Sequence, residues 1–258
     1  VMSTALYDRV IFGPIHSRRL GLSLGVNLLP LDHKLCSFDC IYCECGWGQK
    51  REKVRFNDRE TVRKELERKL TEMVGAGTPP DVITFAGNGE PTLHPDFGEI
   101  IEDTIALRDR IAPRAKVSVL SNATQIGRER VRAALLRVDN NILKLDSAFD
   151  RTVRLMDRPR GNYSVAETVE NMKKFEGQLI VQTMFLRGEF EGETVDNTTE
   201  EEVGAWLELI REIAPQQVMV YTIDRSTPAE NLQKVTVEEL KAIAARVEAL
   251  GITCSVAG

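Results

Sequence analysis

From residue 81 onward the chain repeats one pattern, a short β-rich apolar run followed by a longer stretch whose apolar residues recur at helical spacing. The runs 82–85, 116–120, 142–145, 179–185 and 218–223 read as strands, and 96–110, 128–136, 165–175, 200–213 and 237–250 read as helices. Such alternation predicts βα units around a parallel sheet. Three helix starts carry a capping box, a hydroxyl with Glu three residues on: Ser164/Glu167, Thr199/Glu202 and Thr236/Glu239. An earlier helix over 59–74, with Asn57 and Asp58 as cap candidates, leads into the strand at 82.

A first strand near 23–28 brings the number of βα units to about six, whereas a full eight-unit barrel takes about 250 residues without a large N-terminal loop. The expected fold is therefore α/β, a partial (β/α)6 TIM-like barrel with an N-terminal loop. One domain is expected over 1–258, with the loop at about 30–50, the barrel at about 20–235 and a C-terminal helix and tail at 236–258. The tail, 252–256, either adds an edge strand or covers the barrel, and the sequence leaves both open. In such folds ligands gather at the carboxyl ends of the strands, so motifs just after strands carry extra weight.

One motif stands in that position. Cys36-Ser-Phe-Asp-Cys40-Ile-Tyr-Cys43 follows the first strand with the spacing C-x3-C-x2-C. Three thiolates can hold three irons of a 4Fe-4S cluster and leave the fourth iron open to a ligand. A structural zinc site made by Cys36, Cys40, Cys43 and Cys45 is the other reading of the same residues. The chain has five cysteines, an odd number, four of them between 36 and 45; this reads poorly as a disulfide framework and well as metal chemistry in a reducing compartment. Cys254 reads as a buried apolar residue.

Composition narrows the partners. The hydrophobic fraction of 42% and charged fraction of 28% are ordinary for a globular protein, and a net charge of −5 supplies no global attraction to nucleic acid, though a local patch could bind RNA. Residues 1–10 hold no apolar stretch suited to a secretory signal, and the apolar region 20–31 falls short of the roughly 20 residues of a membrane helix. A cytoplasmic protein without membrane contact is expected.

The cysteine spacing, with aromatic Tyr42 before the last cysteine, resembles the signature of the radical S-adenosylmethionine superfamily. The wider run resembles the group of wyosine-type transfer-RNA modification enzymes within it: Gly13-Pro-Ile-His-Ser-Arg-Arg-Leu-Gly21, Ser23-Leu-Gly-Val-Asn27, the cysteine loop and Gly87-Asn-Gly-Glu-Pro91. The resemblance implies a 4Fe-4S cluster on Cys36, Cys40 and Cys43, whose open iron is chelated by S-adenosyl-L-methionine. One electron then cleaves the sulfonium, and the 5′-deoxyadenosyl radical abstracts hydrogen from substrate. It also implies that Gly87, Asn88, Gly89 and Glu90 resemble the Gly-Gly-Glu segment that holds the cofactor's amino group. Wyosine synthases carry further cysteines for a second cluster, and some a flavodoxin domain. Here only Cys45 and Cys254 remain, so one cluster is expected, with an external flavodoxin or ferredoxin as electron donor.

The other strand ends add candidates. Tyr42, Ser121, Asn122, Lys144 and Asp146 are candidate cofactor contacts; Lys144 and Asp146 share one strand face, where a structural ion pair is the alternative. Gln182, Met184, Tyr221, Asp224 and Arg225 are candidate substrate contacts. Basic clusters occur at Arg18 and Arg19 and at Arg151, Arg154, Arg158 and Arg160. Asp150 and Asp157 interleave the second, which reads as a solvated helix face, with a phosphate-bearing substrate as the alternative. His16, His33 and His94 lack metal-ligand spacing. Three functions stay open: a radical enzyme acting on a small molecule or a tRNA base, an activase acting on a partner glycyl-radical enzyme, and a non-enzymatic zinc or electron-transfer module.

Overall fold

The structure, a computed structural model, describes residues 6–17, 20–49 and 53–258. Arg18 and Arg19, the first basic cluster, lie outside the described residues.

The chain opens with β1 (Ile11–Ser17) and β2 (Gly21–Val26), then α1 (Arg59–Gly75), β3 (Val82–Phe85), α2 (Phe97–Ile111), β4 (Lys116–Ser121), α3 (Glu129–Leu135) and β5 (Asn140–Lys144). It continues with α4 (Asp150–Met156), α5 (Val165–Lys173), β6 (Ile180–Met184), β7 (Leu186–Phe190), β8 (Glu193–Asp196) and α6 (Glu200–Ile213). It ends with β9 (Gln217–Tyr221), β10 (Leu232–Lys234), α7 (Val237–Glu248) and β11 (Thr253–Ala257). One sheet runs β1-β2-β3-β4-β5-β6-β9-β11, parallel from β2 to β11, with β1 antiparallel at its edge. The sheet curls into a half-barrel, the partial TIM-like barrel expected from the βα alternation. The tail is an edge strand, pairing Thr253 with Gln217 and Ala257 with Tyr221.

Alternation along each strand divides the core in two. Leu24, Val26, Ile83, Phe85, Val117, Val119, Leu143, Val181, Val218 and Val220 join the main cluster with the apolar faces of the helices. On the other face Ile142, Ile180 and Met219 pack with Leu20 and Leu120 and fill the barrel. Each aliphatic side chain so buried contributes about 1.5–3 kcal/mol.

Two sets of strands escaped the pattern. β1 pairs onto β2, and β10-β7-β8 form a separate three-stranded antiparallel sheet. Only Phe185 separates β6 from β7, so the apolar run 179–185 hides the boundary, and the partly exposed strands beyond it carry charges. Asn197 fastens this sheet to the barrel: its amide donates to the carbonyls of Asp146 (2.9 Å) and Met184 (2.7 Å) and accepts from Leu186 N (3.0 Å).

The hydroxyl caps of α5, α6 and α7 form as expected, but the reciprocal glutamate arm is present only at Thr236/Glu239. Glu202 turns inward instead, accepting from Ser147 Oγ (2.6 Å) and the Thr152 hydroxyl, because buried donors without water favour a carboxylate acceptor.

Candidate functional site

After β2 the chain crosses the mouth of the half-barrel. The cysteine loop there is pinned on both sides by backbone pairing. On one side Leu35 bridges Gly89: Leu35 N donates to Asn88 O (2.8 Å) and Glu90 N to Leu35 O (3.0 Å). Gly89 has φ +139°, and a Cβ there would lie 1.7 Å from Leu35 O, so this approach requires glycine. On the other side Arg160 N donates to Ser37 O (2.8 Å), Asp39 N to Asp157 O (2.9 Å) and Ile41 N to Met156 O (2.9 Å). Phe38, Ile41 and Tyr42 pack beneath the loop against Met156, Met184, Leu186 and Ile223.

All five cysteines are free thiols; Cys40 is buried and Cys36 and Cys43 are half-buried. Burial, with Glu90 beside it, pushes the Cys36 thiol up to about 12. Burial and then Asp157 push Cys40 up as well. Cys43 is lowered to about 6, by a hydrogen bond from Cys45 and by the Lys34 ammonium against the opposing effect of burial. Cys45 is raised by that same contact with Cys43 and by burial, and its sulfur lies 3.3 Å from Gly87 O. Phe38 N (3.4 Å) and Asn122 Nδ2 (3.5 Å) both point at Cys36 Sγ.

This donor set fits a cubane. A cubane asks for thiolates spread around it, each on its own iron. The three motif cysteines share one loop with a cation and N–H donors directed at sulfur, which fits that group. Asn27 adds a second sign of a ligand. It is fully buried at the end of β2, its Oδ1 accepts from Leu29 N (3.1 Å) and Asn88 N (3.2 Å), and its Nδ2 has no acceptor among the described residues. An unsatisfied buried donor costs about 1–3 kcal/mol. The Asn27 side chain abuts Gly87, where a Cβ would stand 2.5 Å from Asn27 Oδ1.

The strand-end segment after β3 divides its labour. Asn88 uses its side chain within the protein, donating to Tyr7 O (2.8 Å) and Pro30 O (2.8 Å) and accepting from Tyr7 N (2.8 Å). With both amide protons spent, this side chain anchors the segment around Tyr7. Glu90 is buried and raised above the usual carboxylate range by burial, while it accepts from Thr92, Ser121 Oγ (2.8 Å) and Asn122 N (2.6 Å). It thereby ties the end of β3 to the end of β4. Asn122 continues the chain to Ser37 Oγ (2.9 Å) and accepts from Thr124 N (3.1 Å).

Tyr42 lies at the centre of a buried polar knot. Its hydroxyl accepts from Lys144 Nζ (2.7 Å), donates to Asp146 Oδ2 and stands 2.9 Å from Asp157 Oδ1. Lys144 also reaches Asp146 Oδ2 (3.3 Å) and Tyr221 Oη (3.3 Å). The ion pair read from β5 therefore exists, inside a larger network. Asp157 corrects the sequence reading. It is 1% exposed, not on a solvated face, because α4 ends at Met156 and the chain turns inward against the cysteine loop. Burial and then Asp146 hold its carboxyl well above the usual range.

The arginines of that cluster are engaged outside the knot. Arg151 pairs with Glu193 (3.1 Å), Arg158 with Glu191 (3.2 Å), and Arg154 donates to Tyr163 O (3.0 Å). Gln182 and Met184 line the inner face of β6, with Met184 opposite Tyr221 on β9. Asp224 and Arg225 are exposed: Asp224 lies 3.9 Å from Lys234, and Arg225 bonds Glu44 (2.9 Å) in the cysteine loop. Lys34 carried no sequence signal of its own and is held within its own loop by Asp39 and Gly46, whereas Asn27 and Asp157 owe their places to Asn88 and Tyr42, distant along the chain.

Residues 33–201 match the family described as the radical SAM superfamily. The chain belongs to that superfamily. Membership carries S-adenosylmethionine-dependent radical chemistry in general, with a 4Fe-4S cluster and S-adenosylmethionine as typical cofactors and with need of a reductant and a substrate. A UPF0026 protein of Methanocaldococcus jannaschii is 31% identical over 242 residues, 92% of this chain and 70% of that protein. A Brachyspira hyodysenteriae protein named GTPase Obg is 29% identical over 92% of this chain, yet the chain spans only 33% of its length. Among solved structures, a radical SAM methyltransferase from Sphaerobacter thermophilus superposes with a TM-score of 0.67 at 13% identity, covering 91% of this chain and 65% of that one. A structure of TYW1 with a lysine-pyruvate adduct bound superposes at 0.62 with 14% identity, covering 88% and 73%. At such identities these two share the fold. Among the described residues no helix is long and apolar enough to cross a membrane.

Proposed function

We propose that the chain is a radical enzyme that cleaves S-adenosylmethionine reductively and abstracts hydrogen from a small molecule or a tRNA base. One observation carries the reading: the thiols of Cys36, Cys40 and Cys43 are gathered in one loop fastened to the carboxyl ends of β3 and β4. That is where this class of fold places its chemistry. These three residues would hold the cluster, which supplies the single electron and the open iron for the cofactor's methionine end.

The remaining residues bind and orient. Gly87 and Gly89 let backbone approach the cofactor's ammonium, beside the spare donor of Asn27. Glu90 holds that segment against Ser121 and Asn122. Tyr42, Lys144 and Asp146 form the floor on which the loop rests, and Gln182, Met184 and Tyr221 line the inner wall for substrate. Asp224 and Arg225 stand at the rim, where Arg225 bridges to the loop through Glu44. A cytoplasmic flavodoxin or ferredoxin would deliver the electron.

The test is anaerobic reconstitution. The protein should turn brown, bind about four irons, and release 5′-deoxyadenosine when given the cofactor and a strong reductant. Alanine at Cys36, Cys40 or Cys43 should abolish that release; activity retained in all three variants would refute the reading.

A further inference from the structure

We propose, resting on the reading that Cys36, Cys40 and Cys43 hold the cluster, that Asn122 raises the cluster's reduction potential through a side-chain N–H directed at the Cys36 sulfur.

Asn122 directly follows β4 and is 7% exposed. Its amide has one orientation. Oδ1 accepts from Thr124 N (3.1 Å) and the Thr124 hydroxyl (2.8 Å), and because a backbone N–H can only donate, the amide oxygen and not the nitrogen must face it. Both protons of Nδ2 therefore serve the cysteine loop, one on Ser37 Oγ (2.9 Å) and one on Cys36 Sγ (3.5 Å). Ser37 closes a ring. The Thr124 hydroxyl spends its proton on Asn122, so the 2.6 Å contact between the Ser37 and Thr124 hydroxyls is donated by Ser37.

The backbone is held for this contact. Asn122 N donates to Glu90 Oε2 (2.6 Å) and Ala123 N to Ser121 Oγ (3.1 Å), while Ala123 takes a left-handed φ of 66°. A residue with a side chain adopts that conformation at a cost in strain, which persists where the surrounding bonds over-determine it. The turn so fixed brings the amide at the end of β4 onto a sulfur 86 residues earlier in the chain.

A cysteine that binds cluster iron does so as a thiolate, and an electron gained by the cluster makes its sulfurs more negative. A hydrogen bond donated to Cys36 Sγ therefore stabilises the reduced form more than the oxidised one, and such bonds are among the factors that set cluster potentials. Phe38 N makes a contact of the same kind (3.4 Å) from the backbone of the loop, and Asn122 adds the one that a substitution can remove. An asparagine that merely tied the loop to β4 would hold the cluster in place and leave its potential where it was.

The experiment is a potentiometric titration of the reconstituted cluster without S-adenosylmethionine, its reduced form followed by electron paramagnetic resonance. Asn122→Ala should make reduction harder by about fivefold in the equilibrium, ~40 mV for one electron. Asn122→Asp keeps the shape, removes the donor and adds negative charge, and should fall at least as far. Ser37→Ala and Thr124→Val cut the tie between loop and β4 but keep the donor, and should stay within about twofold of wild type. An unshifted Asn122→Ala, or a Ser37→Ala shifted as far as Asn122→Ala, would overturn the proposal. Should the Asn122 variants take up no iron, wild-type protein carrying 15N in its asparagine side chains decides: a 15N hyperfine coupling to the reduced cluster supports the proposal and its absence refutes it. Wild-type protein that assembles no cluster would instead refute the functional reading beneath it.

Discussion

The Lys144 ammonium donates to the Tyr42 hydroxyl at 2.7 Å, joining the barrel wall to the residue before the last motif cysteine. The same ammonium lies 5.0 Å from the Tyr42 ring centroid, so position and orientation of the loop are held at one point. Tyr42→Phe keeps the ring and removes the hydroxyl from three charged or chargeable partners. Bonds to charged groups contribute about 1.5–3 kcal/mol. Urea denaturation of the iron-free protein should show a loss of that size, and an unchanged midpoint would mean that the knot does not hold the loop.

Asp157 makes stability depend on pH in a defined direction. Its folded carboxyl keeps its proton above the usual range, whereas the unfolded carboxyl releases it near pH ~4. Between those values the folded state binds more protons, so stability is full at low pH and falls as pH rises through the window toward the raised folded pKa. Asp157→Asn imitates the protonated form and should flatten that part of the slope. Glu90, raised by burial too, adds a slope of the same sign and the lowered Cys43 thiol one of opposite sign, so only the difference between denaturation series on wild type and variant, compared across pH ~5 to ~8, isolates the Asp157 share.

Gly89→Ala places a methyl 1.7 Å from Leu35 O at a backbone angle that disfavours side chains. Strain and overpacking together should cost about 2–4 kcal/mol. Because the bridge to Leu35 anchors the cysteine loop, iron uptake should fall along with thermal stability. Normal iron content in a stably folded variant would show that this bridge is dispensable.

Asn88→Ala leaves the carbonyls of Tyr7 and Pro30 and the amide of Tyr7 without their partner. Unsatisfied buried groups cost about 1–3 kcal/mol each, though water can reach part of this site. Limited proteolysis should therefore cut near Tyr7 much faster than in wild type. A variant that resists cleavage while losing cofactor affinity would restore Asn88 as a ligand contact.

The order of strands and helices could be read from the sequence because it rests on local periodicity. Apolar runs followed by amphipathic helices require parallel βα units, and the caps at Ser164, Thr199 and Thr236 involve residues three apart. β7 and β8 could not be read, since they are short, partly exposed strands stabilised by pairing with each other and with β10 and by the Asn197 amide. The fate of 252–256 depended on whether the edge of β9 was free to accept it.

By itself the sequence determined a C-x3-C-x2-C loop behind a strand, and hence the kind of chemistry available, because three thiols within eight residues must share a neighbourhood wherever the loop lies. Tertiary structure alone decided what surrounds those thiols. Asp157 and Lys144 lie more than a hundred residues from Tyr42 along the chain, and the short pattern around each matches a surface helix or an ordinary strand end. Burial and electrostatic fields are set by whatever the completed fold packs against a group, so the carboxyl of Asp157 that keeps its proton is a property of the assembled barrel.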